Sequence, residues 1–222
     1  MLDFILFDVD NTLYPKSVGL FDRVAERIRG YMEVRLGYEK ELSRELRLDY
    51  IKRYGSTLRG LMIHQKVDAA DFLEYVHDVD VEERVAPNPA LAQILENLSI
   101  DRAIFTSGHH PYARRVLRSL GVEQYFPRIF DIIFTQYIPK PNPEPYRQIL
   151  DVVEIDPSRI MIIDDVPANL KTAKDLGMTT VLVDQTLSGP QEKLDGFMDY
   201  GIRDILEIAE VLKKTGVAIE FK

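Results

Sequence analysis

Two acidic residues separated by one position, Asp8 and Asp10, directly follow the short apolar run Phe4–Phe7. An extended chain returns every second side chain to the same side, so a turn after the run can bring both carboxyls to one reacting atom. One carboxylate can attack as a nucleophile, while the other protonates a leaving group and later takes a proton from water. The spacing therefore predicts Asp8 as a nucleophile and Asp10 as its acid/base partner.

Other polar side chains follow apolar runs farther along the chain. They are Thr106 and Ser107 after a run that ends at Phe105, Lys140 beyond the run Ile132–Phe134, and Asp164 and Asp165 after the run Ile160–Ile163. Because the carboxyl ends of parallel strands open on one edge of a sheet, we expect all of these side chains to converge with Asp8 and Asp10.

Four carboxylates at one sheet edge would repel one another strongly unless a cation lay among them. Oxygen ligands without a neighbouring His or Cys favour a hard ion, and Mg²⁺ takes few protein ligands and keeps several waters. We therefore expect a Mg²⁺ site formed by Asp8, Asp10, Asp164 and Asp165. Such an ion would let a carboxylate attack an anionic phosphoryl group, with Lys140 adding a second positive charge.

The remaining candidate residues can be interpreted either as functional or as purely structural. Thr106 and Ser107, with nearby backbone N–H groups, can bind phosphoryl oxygens, although a threonine also ends a strand for β-propensity alone. Lys140 lies in a stretch with a proline at every other position, where it is either catalytic or a surface lysine. His109 and His110 either contact the leaving group or are solvated residues that open a helix.

The apolar runs also predict the fold. They are short and continuously apolar, which is typical of strands covered on both faces in a parallel sheet. Segments with helical spacing lie between them, and glycines follow two of these segments where a helix C-cap is expected. The predicted strands are Phe4–Phe7, 103–106, Ile160–Ile163 and 180–183, and the predicted helices are 112–120, 145–153 and 169–176. This alternation predicts a doubly wound α/β core.

One segment, from about Gly19 to Val79, breaks the alternation because it is charged and helix-patterned without a convincing strand. It predicts a small all-helical cap domain inserted after the first strand. We divide the chain into a core domain, residues 1–15 and 82–222, and a cap domain, residues 16–81. The tyrosines of the insert are interpreted as its core, in preference to a base-stacking platform; they are Tyr31, Tyr50, Tyr54 and Tyr75.

Composition excludes several classes of function. The formal net charge of -8 argues against binding to a nucleic acid polymer but not against a small phosphorylated substrate, since a bound metal reverses the local field. The absence of cysteine excludes disulfides, thiolate metal sites and cysteine nucleophiles. No signal peptide pattern and no apolar stretch long enough for a bilayer are present, so we expect a cytoplasmic protein that does not bind membranes.

The ordered segments resemble the haloacid dehalogenase (HAD) superfamily of phosphohydrolases, from Asp3 to about Asp184. The matching segments are Asp8–Thr12, Phe105–Ser107, Lys140–Pro141 and Asp164–Asp165. The resemblance implies that the first aspartate is the nucleophile and the second the acid/base. It also implies metal ligands from the nucleophile's side chain, the backbone carbonyl of Asp10 and an acid of the fourth segment, where Asp165 matches the direct ligand and Asp164 is a ligand or its support. An acid at position 10 favours phosphate chemistry over carbon–halogen cleavage.

Finer details are similar to the branch that contains pyrimidine 5′-nucleotidases, which implies nucleoside monophosphates such as UMP and CMP as substrates. The segments that carry this similarity are Asp10–Pro15, Tyr54–Leu61, Tyr75–Asp78 and Asp165–Leu170. Ser107–Gly108 departs from the branch, which commonly has Asn after the threonine. Alternatives are a phosphatase for a sugar phosphate or phosphoglycolate, a phosphomutase with the same core residues, and a non-enzymatic binding module, which would be expected to lack one of the acids.

Overall fold

The structure, a computed structural model, describes residues 2–217. A single seven-stranded sheet organises the chain, with helices on both of its faces. The strands are β1 (Phe4–Phe7), β2 (Asp101–Phe105), β3 (Ile129–Phe130), β4 (Ile160–Asp164), β5 (Thr179–Val183), β6 (Gln191–Asp195) and β7 (Met198–Ile202). The helices are α1 (Leu20–Val34), α2 (Lys40–Tyr54), α3 (Thr57–Gln65), α4 (Ala69–His77), α5 (Val81–Arg84), α6 (Pro89–Glu96), α7 (His110–Leu120), α8 (Pro143–Val153), α9 (Pro167–Asp175) and α10 (Ile208–Lys214).

The sheet has the strand order β3-β2-β1-β4-β5-β7-β6. Every neighbouring pair is parallel except β6 and β7, which are antiparallel. Strands β1 and β4 are buried along their whole length, which explains why their sequences are continuously apolar. The predicted doubly wound α/β core is confirmed.

The two faces of β1 pack into different hydrophobic clusters. Ile5 and Phe7 belong to a cluster that includes residues of α6, α7 and α10, whereas Phe4 and Leu6 belong to one that includes residues of α8 and α9. Successive side chains of a strand point to opposite faces, so this division shows a strand covered on both sides. Gly121 ends α7 in the left-handed conformation, as the C-cap pattern predicts.

The apolar run Ile132–Phe134 lies in turns, not in a strand. The neighbouring strand β3 ends earlier, at Phe130, and Asp131 accepts hydrogen bonds from the backbone N–H groups of Ile133 and Phe134 at 3.2 and 2.9 Å. These local bonds replace a strand ladder. Ile132 is buried, but it packs in the cluster formed by the inserted helices.

Four helices, α1 to α4, occupy the segment from about Gly19 to Val79, so the inserted segment is helical as predicted. Tyr31 and Tyr50 are buried in its own hydrophobic cluster, and Tyr54 and Tyr75 pack against that cluster while partly buried. The beginning of α1 belongs to the core instead, because Leu20 packs in the cluster that contains Ile5 and Phe7. Within residues 2–217, no helix combines the length and apolar character needed to cross a bilayer.

Candidate active site

The register of the sheet brings the polar strand ends together. Phe7 of β1 pairs with Ile104 of β2 and with Ile163 of β4, so the three strands end at the same level. The backbone N–H of Asp8 donates to the carbonyl of Ile163 at 2.9 Å, which extends the ladder by one residue. The side chain of Asp8 therefore starts from a rigid position at the carboxyl edge of the sheet.

The chain turns sharply after Asp8. Asn11 adopts the left-handed conformation with φ of 58°, which asparagine tolerates better than most residues. The turn places the hydroxyl of Thr12 at 3.3 Å from Oδ2 of Asp8, to which it donates. It also lets the Asn11 amide reach Asp165, where Nδ2 donates to Oδ2 at 3.3 Å.

Lys140 joins the first and fourth segments. Its ammonium group is buried and donates to Oδ1 of Asp8 at 2.7 Å, to Oδ2 of Asp164 at 2.6 Å and to the carbonyl of Phe105 at 2.9 Å. All three N–H donors of a lysine thereby have partners. Lys140 is therefore buried at the sheet edge beside Asp8 and is not a surface lysine.

Asp164 and Asp165 are adjacent in sequence but have different surroundings. Asp164 is fully buried, and its two oxygens accept hydrogen bonds from Lys140, the N–H of Val166 and the amide of Asn169. Asp165 lines a cavity and, within residues 2–217, accepts one side-chain hydrogen bond, from Asn11. Asp164 therefore has its acceptors occupied by the protein, whereas Asp165 has free acceptor capacity.

Asp10 is held by two tyrosines that sequence reasoning did not identify. The phenol groups of Tyr14 and Tyr112 both donate to Oδ1 of Asp10, at 2.5 and 2.7 Å. His77 stacks on the Tyr112 ring with centroids 4.5 Å apart, and its Nδ1–H donates to the carbonyl of Leu73. Burial lowers the pKa of His77 to about 4, so the ring is neutral at pH 7.

Thr106 and Ser107 lie where the prediction placed them, at the carboxyl edge beside β2. The hydroxyl oxygen of Thr106 accepts the N–H of Gly108 at 2.9 Å, and that of Ser107 accepts the N–H of Lys140 at 3.3 Å. Neither hydroxyl donates to another residue of the described part of the chain, so each proton can be donated to a ligand oxygen. Neither His109 nor His110 lines the cavity, which agrees with the simpler reading that they begin α7.

Burial and mutual repulsion shift the pKa values of the acids at the site. Burial raises the pKa of Asp8 well above its usual range, and Asp164, Asp165 and Asp10 add to that rise while Lys140 opposes it. Burial, followed by the charge of Asp164, raises the pKa of Asp165 to about 6. The pKa of Lys140 is raised in spite of its burial, since Asp164 and Asp8 stabilise the ammonium form.

Three carboxylates can share one cation. Ligand atoms of Asp8, Asp164 and Asp165 all lie within 4.8 Å of one another. With Asp10 nearby, four acids face the single ammonium of Lys140, so the set carries excess negative charge that a divalent ion would neutralise. The all-oxygen donor set suits a hard ion such as Mg²⁺.

A cavity of about 510 Å³ opens between this edge and the inserted helices. Its sheet-edge wall contains Asp8, Asp10, Thr106, Ser107, Lys140 and Asp165. Asp164 supports this wall from behind through Lys140. The inserted helices add a largely apolar wall together with His77 and Arg47, two residues to which the sequence had assigned no role.

The fold is a doubly wound α/β core with acidic residues at the carboxyl edge of its sheet. Comparison with known proteins gives the family. The model of haloacid dehalogenase-like hydrolases matches residues 2–177. The chain belongs to this family of hydrolases.

Individual relatives are distant. The chain is 26% identical to Phosphate metabolism protein 8 of Saccharomyces cerevisiae over 193 residues, which cover 79% of this chain and 60% of the yeast protein. It is 28% identical over 238 residues to Glyceraldehyde 3-phosphate phosphatase of Methanopyrus kandleri, covering 96% of this chain and 100% of that one. A crystal structure of a HAD phosphatase from Thermococcus onnurineus superposes with a TM-score of 0.59 at 20% identity, covering 99% and 100% of the two chains.

Proposed function

We propose that the protein is a Mg²⁺-dependent phosphomonoesterase that works through an aspartyl-phosphate on Asp8, with pyrimidine nucleoside 5′-monophosphates as its substrates. The observation that carries the reaction class is the arrangement around Asp8. One of its oxygens contacts Lys140 at 2.7 Å, and acceptor atoms of Asp164 and Asp165 lie within 4.8 Å. With a divalent cation held among these acids and Lys140 beside it, Asp8 could approach an anionic phosphoryl group that would otherwise repel it.

The residues that would hold Mg²⁺ are Asp8, the backbone carbonyl of Asp10 and Asp165. Asp164, whose oxygens already accept hydrogen bonds from Lys140 and Asn169, is better suited to orient the others. When bound, the ion supplies charge neutralisation between nucleophile and phosphoryl group. The hydroxyl of Thr106 and that of Ser107 donate to the non-bridging oxygens of the phosphoryl group.

Asp10 moves the protons in both half-reactions. As Asp8 forms its bond to phosphorus, the bond to the leaving oxygen breaks and that oxygen takes the proton of Asp10. Water then attacks the phosphorus of the aspartyl-phosphate while Asp10 removes a proton from it, which releases phosphate and restores Asp8. The phenols of Tyr14 and Tyr112 hold the acid/base carboxyl in place.

Residues 16–81 are proposed to act as a cap domain over this edge, with residues 1–15 and 82–222 as the core domain. The cavity between the inserted helices and the sheet edge supports the division, since a lid over a reactive phosphoryl group excludes bulk water. A cavity of about 510 Å³ is within the range that holds a small-molecule ligand.

The choice of substrate depends on the cavity wall contributed by the insert. Phe72, Leu73 and Leu58 make this wall apolar, which favours a flat nucleobase over a polyhydroxylated sugar. The alternative is a phosphatase for a small sugar phosphate or for phosphoglycolate, and the similarity to Glyceraldehyde 3-phosphate phosphatase of Methanopyrus kandleri favours the sugar phosphate. A phosphomutase with the same core residues is distinguished by whether inorganic phosphate is released.

The test is phosphate release by purified protein from UMP, CMP, purine nucleotides, sugar phosphates and phosphoglycolate. EDTA is expected to abolish turnover and added Mg²⁺ to restore it. Asp8→Asn is expected to abolish release from every substrate while the variant remains folded, because it removes one of several mutually repelling acids. Asp151→Asn, an exposed acid on α8, is the matched control and should retain full activity. Normal turnover by Asp8→Asn would refute the proposed mechanism.

A further inference from the structure

Arg47, on α2 of the inserted segment, lines the cavity within its apolar wall. Neighbouring lining residues from the same segment include Phe21, Ile28, Ile51 and Leu58. Arginine on such a surface is unexpected, because transferring a charged group into apolar surroundings is costly unless a partner compensates it.

The guanidinium of Arg47 lacks such compensation among the residues that the structure describes. Its Nε atom is buried and has no hydrogen-bond partner. The charge that bears on it most directly is another cation, Arg29, and both burial and this neighbour lower the pKa of Arg47. Four other arginines of the insert, Arg23, Arg27, Arg35 and Arg53, form ion pairs with acids although they are more exposed to water.

The other positive charge in the described lining is already engaged. Lys140 donates its three protons to Asp8, Asp164 and a backbone carbonyl at the sheet edge. The cavity acids Asp8, Asp10 and Asp165 lie at that same edge, not in the apolar wall. Arg47 is thus the lining cation that a ligand would have to satisfy.

We propose that Arg47 is a specificity-determining residue that donates a hydrogen bond to an acceptor oxygen, carbonyl or carboxylate, on the substrate's leaving group. This inference rests on the proposed phosphatase function, which places the phosphoryl group against Asp8 and leaves the rest of the substrate to the apolar wall. The substrate class is then a phosphate monoester with a flat or apolar body that ends in such an oxygen. A nucleobase carbonyl and an aromatic carboxylate both meet this requirement, whereas an unsubstituted phenyl ring does not.

The experiment compares kcat/KM for phenyl phosphate, 4-carboxyphenyl phosphate and UMP in the presence of Mg²⁺. The variants are Arg47→Met, Arg47→Lys and the matched control Arg44→Met, which removes an exposed arginine one helical turn earlier on α2. Arg47→Met should lower kcat/KM about 10- to 100-fold more for at least one of the two acceptor-bearing substrates than for phenyl phosphate, as expected for a hydrogen bond to a charged donor. The selective loss in kcat/KM for Arg47→Lys should lie between those of the wild type and Arg47→Met, since lysine keeps the charge but lacks the Nε donor.

The outcomes separate the two proposals. A selective loss on UMP identifies a base carbonyl as the partner, and a selective loss on 4-carboxyphenyl phosphate identifies a carboxylate; Arg44→Met should show neither. Equal losses on all three substrates would overturn the role of Arg47 while the phosphatase function stands. If the wild-type protein releases no phosphate from any of the three or from the wider substrate panel, the proposed function itself fails.

A purely structural role for Arg47 has a different signature. Since the structure shows no protein acceptor for Nε, Arg47→Met should leave the melting temperature of the free protein unchanged or raise it. A clear fall in melting temperature together with unaltered substrate preference would assign Arg47 to the fold and refute the inference.

Discussion

Tyr112 and Tyr14 donate to the same carboxylate oxygen of Asp10, and this arrangement makes the acidity of Asp10 adjustable by mutation. Burial raises the pKa of Asp10, while the hydrogen bonds from Tyr112 and then Tyr14 lower it. Tyr112→Phe removes one of these bonds and keeps the ring that packs against His77. Because the lost bond favours the ionised form, the pKa of Asp10 should rise.

The magnitude follows from the strength of one hydrogen bond to a charged group, roughly 1.5–3 kcal/mol. At 1.36 kcal/mol per unit of pKa, this corresponds to a rise of about one to two units. Tyr14 retains its bond to Asp10 in the variant and can strengthen it, so we expect a rise near the lower end, about one unit.

The assay is the pH dependence of kcat/KM for phenyl phosphate at saturating Mg²⁺. Formation of the aspartyl-phosphate requires Asp10 in its protonated form, so activity falls at high pH as Asp10 loses its proton. Tyr112→Phe should therefore move this alkaline limb upward by about one pH unit. At pH values where Asp10 must be ionised to activate water, the variant should hydrolyse the intermediate more slowly.

Tyr31→Phe is the matched control for this experiment. Tyr31 is buried, and its phenol donates to Asp71 at 2.7 Å, the same distance and the same kind of bond as in the Tyr112–Asp10 pair. It lies in the hydrophobic cluster of the insert, outside the cavity lining, so its loss should affect stability but not the pH profile. An alkaline limb that stays in place or moves downward in Tyr112→Phe would refute the reasoning.

Two further predictions concern stability. In the folded protein the pKa of Asp165 is raised from 3.8 to about 6, so folding favours its protonated form. In EDTA, the free energy of unfolding should therefore fall by up to about 3 kcal/mol as the pH rises from about 4 to about 6. In thermal melts, Asp165→Asn should remove this part of the pH dependence. If the melting temperature changes equally with pH in the variant and in the wild type, Asp165 is not the cause. Gly60→Ala should destabilise the protein by about 1–3 kcal/mol, since a Cβ there would clash with the side chain of Tyr50. Gly196→Ala is the control and should change the melting temperature little, because no described residue lies close to the position of its added Cβ.

Much of the candidate site follows from sequence pattern alone. The continuous apolarity of Phe4–Phe7 and Ile160–Ile163 requires strands buried on both faces, and parallel strands open their carboxyl ends on one edge. The residues directly after those strands, Asp8 and Asp164–Asp165, must then converge whatever the details of packing. The same pattern is weaker at Ile132–Phe134, where the carboxylate of Asp131 binds the backbone N–H groups and the run becomes a turn.

The partners that tune the site depend on tertiary structure. Tyr112 lies 102 positions from Asp10 in sequence, and nothing in its local pattern distinguishes a phenol that meets a carboxylate from one that packs in a core. The contrast between Asp164 and Asp165 arises in the same way, because Asn169 and Lys140 reach only the first of them. The sequence by itself determined which polar residues follow the buried strands, since local hydrophobicity is enough to identify such strands. Only the tertiary structure decided that Asp165 can accept further hydrogen bonds and that Nε of Arg47 has no described partner. Hydrogen-bond partners and burial are defined only after distant segments pack together.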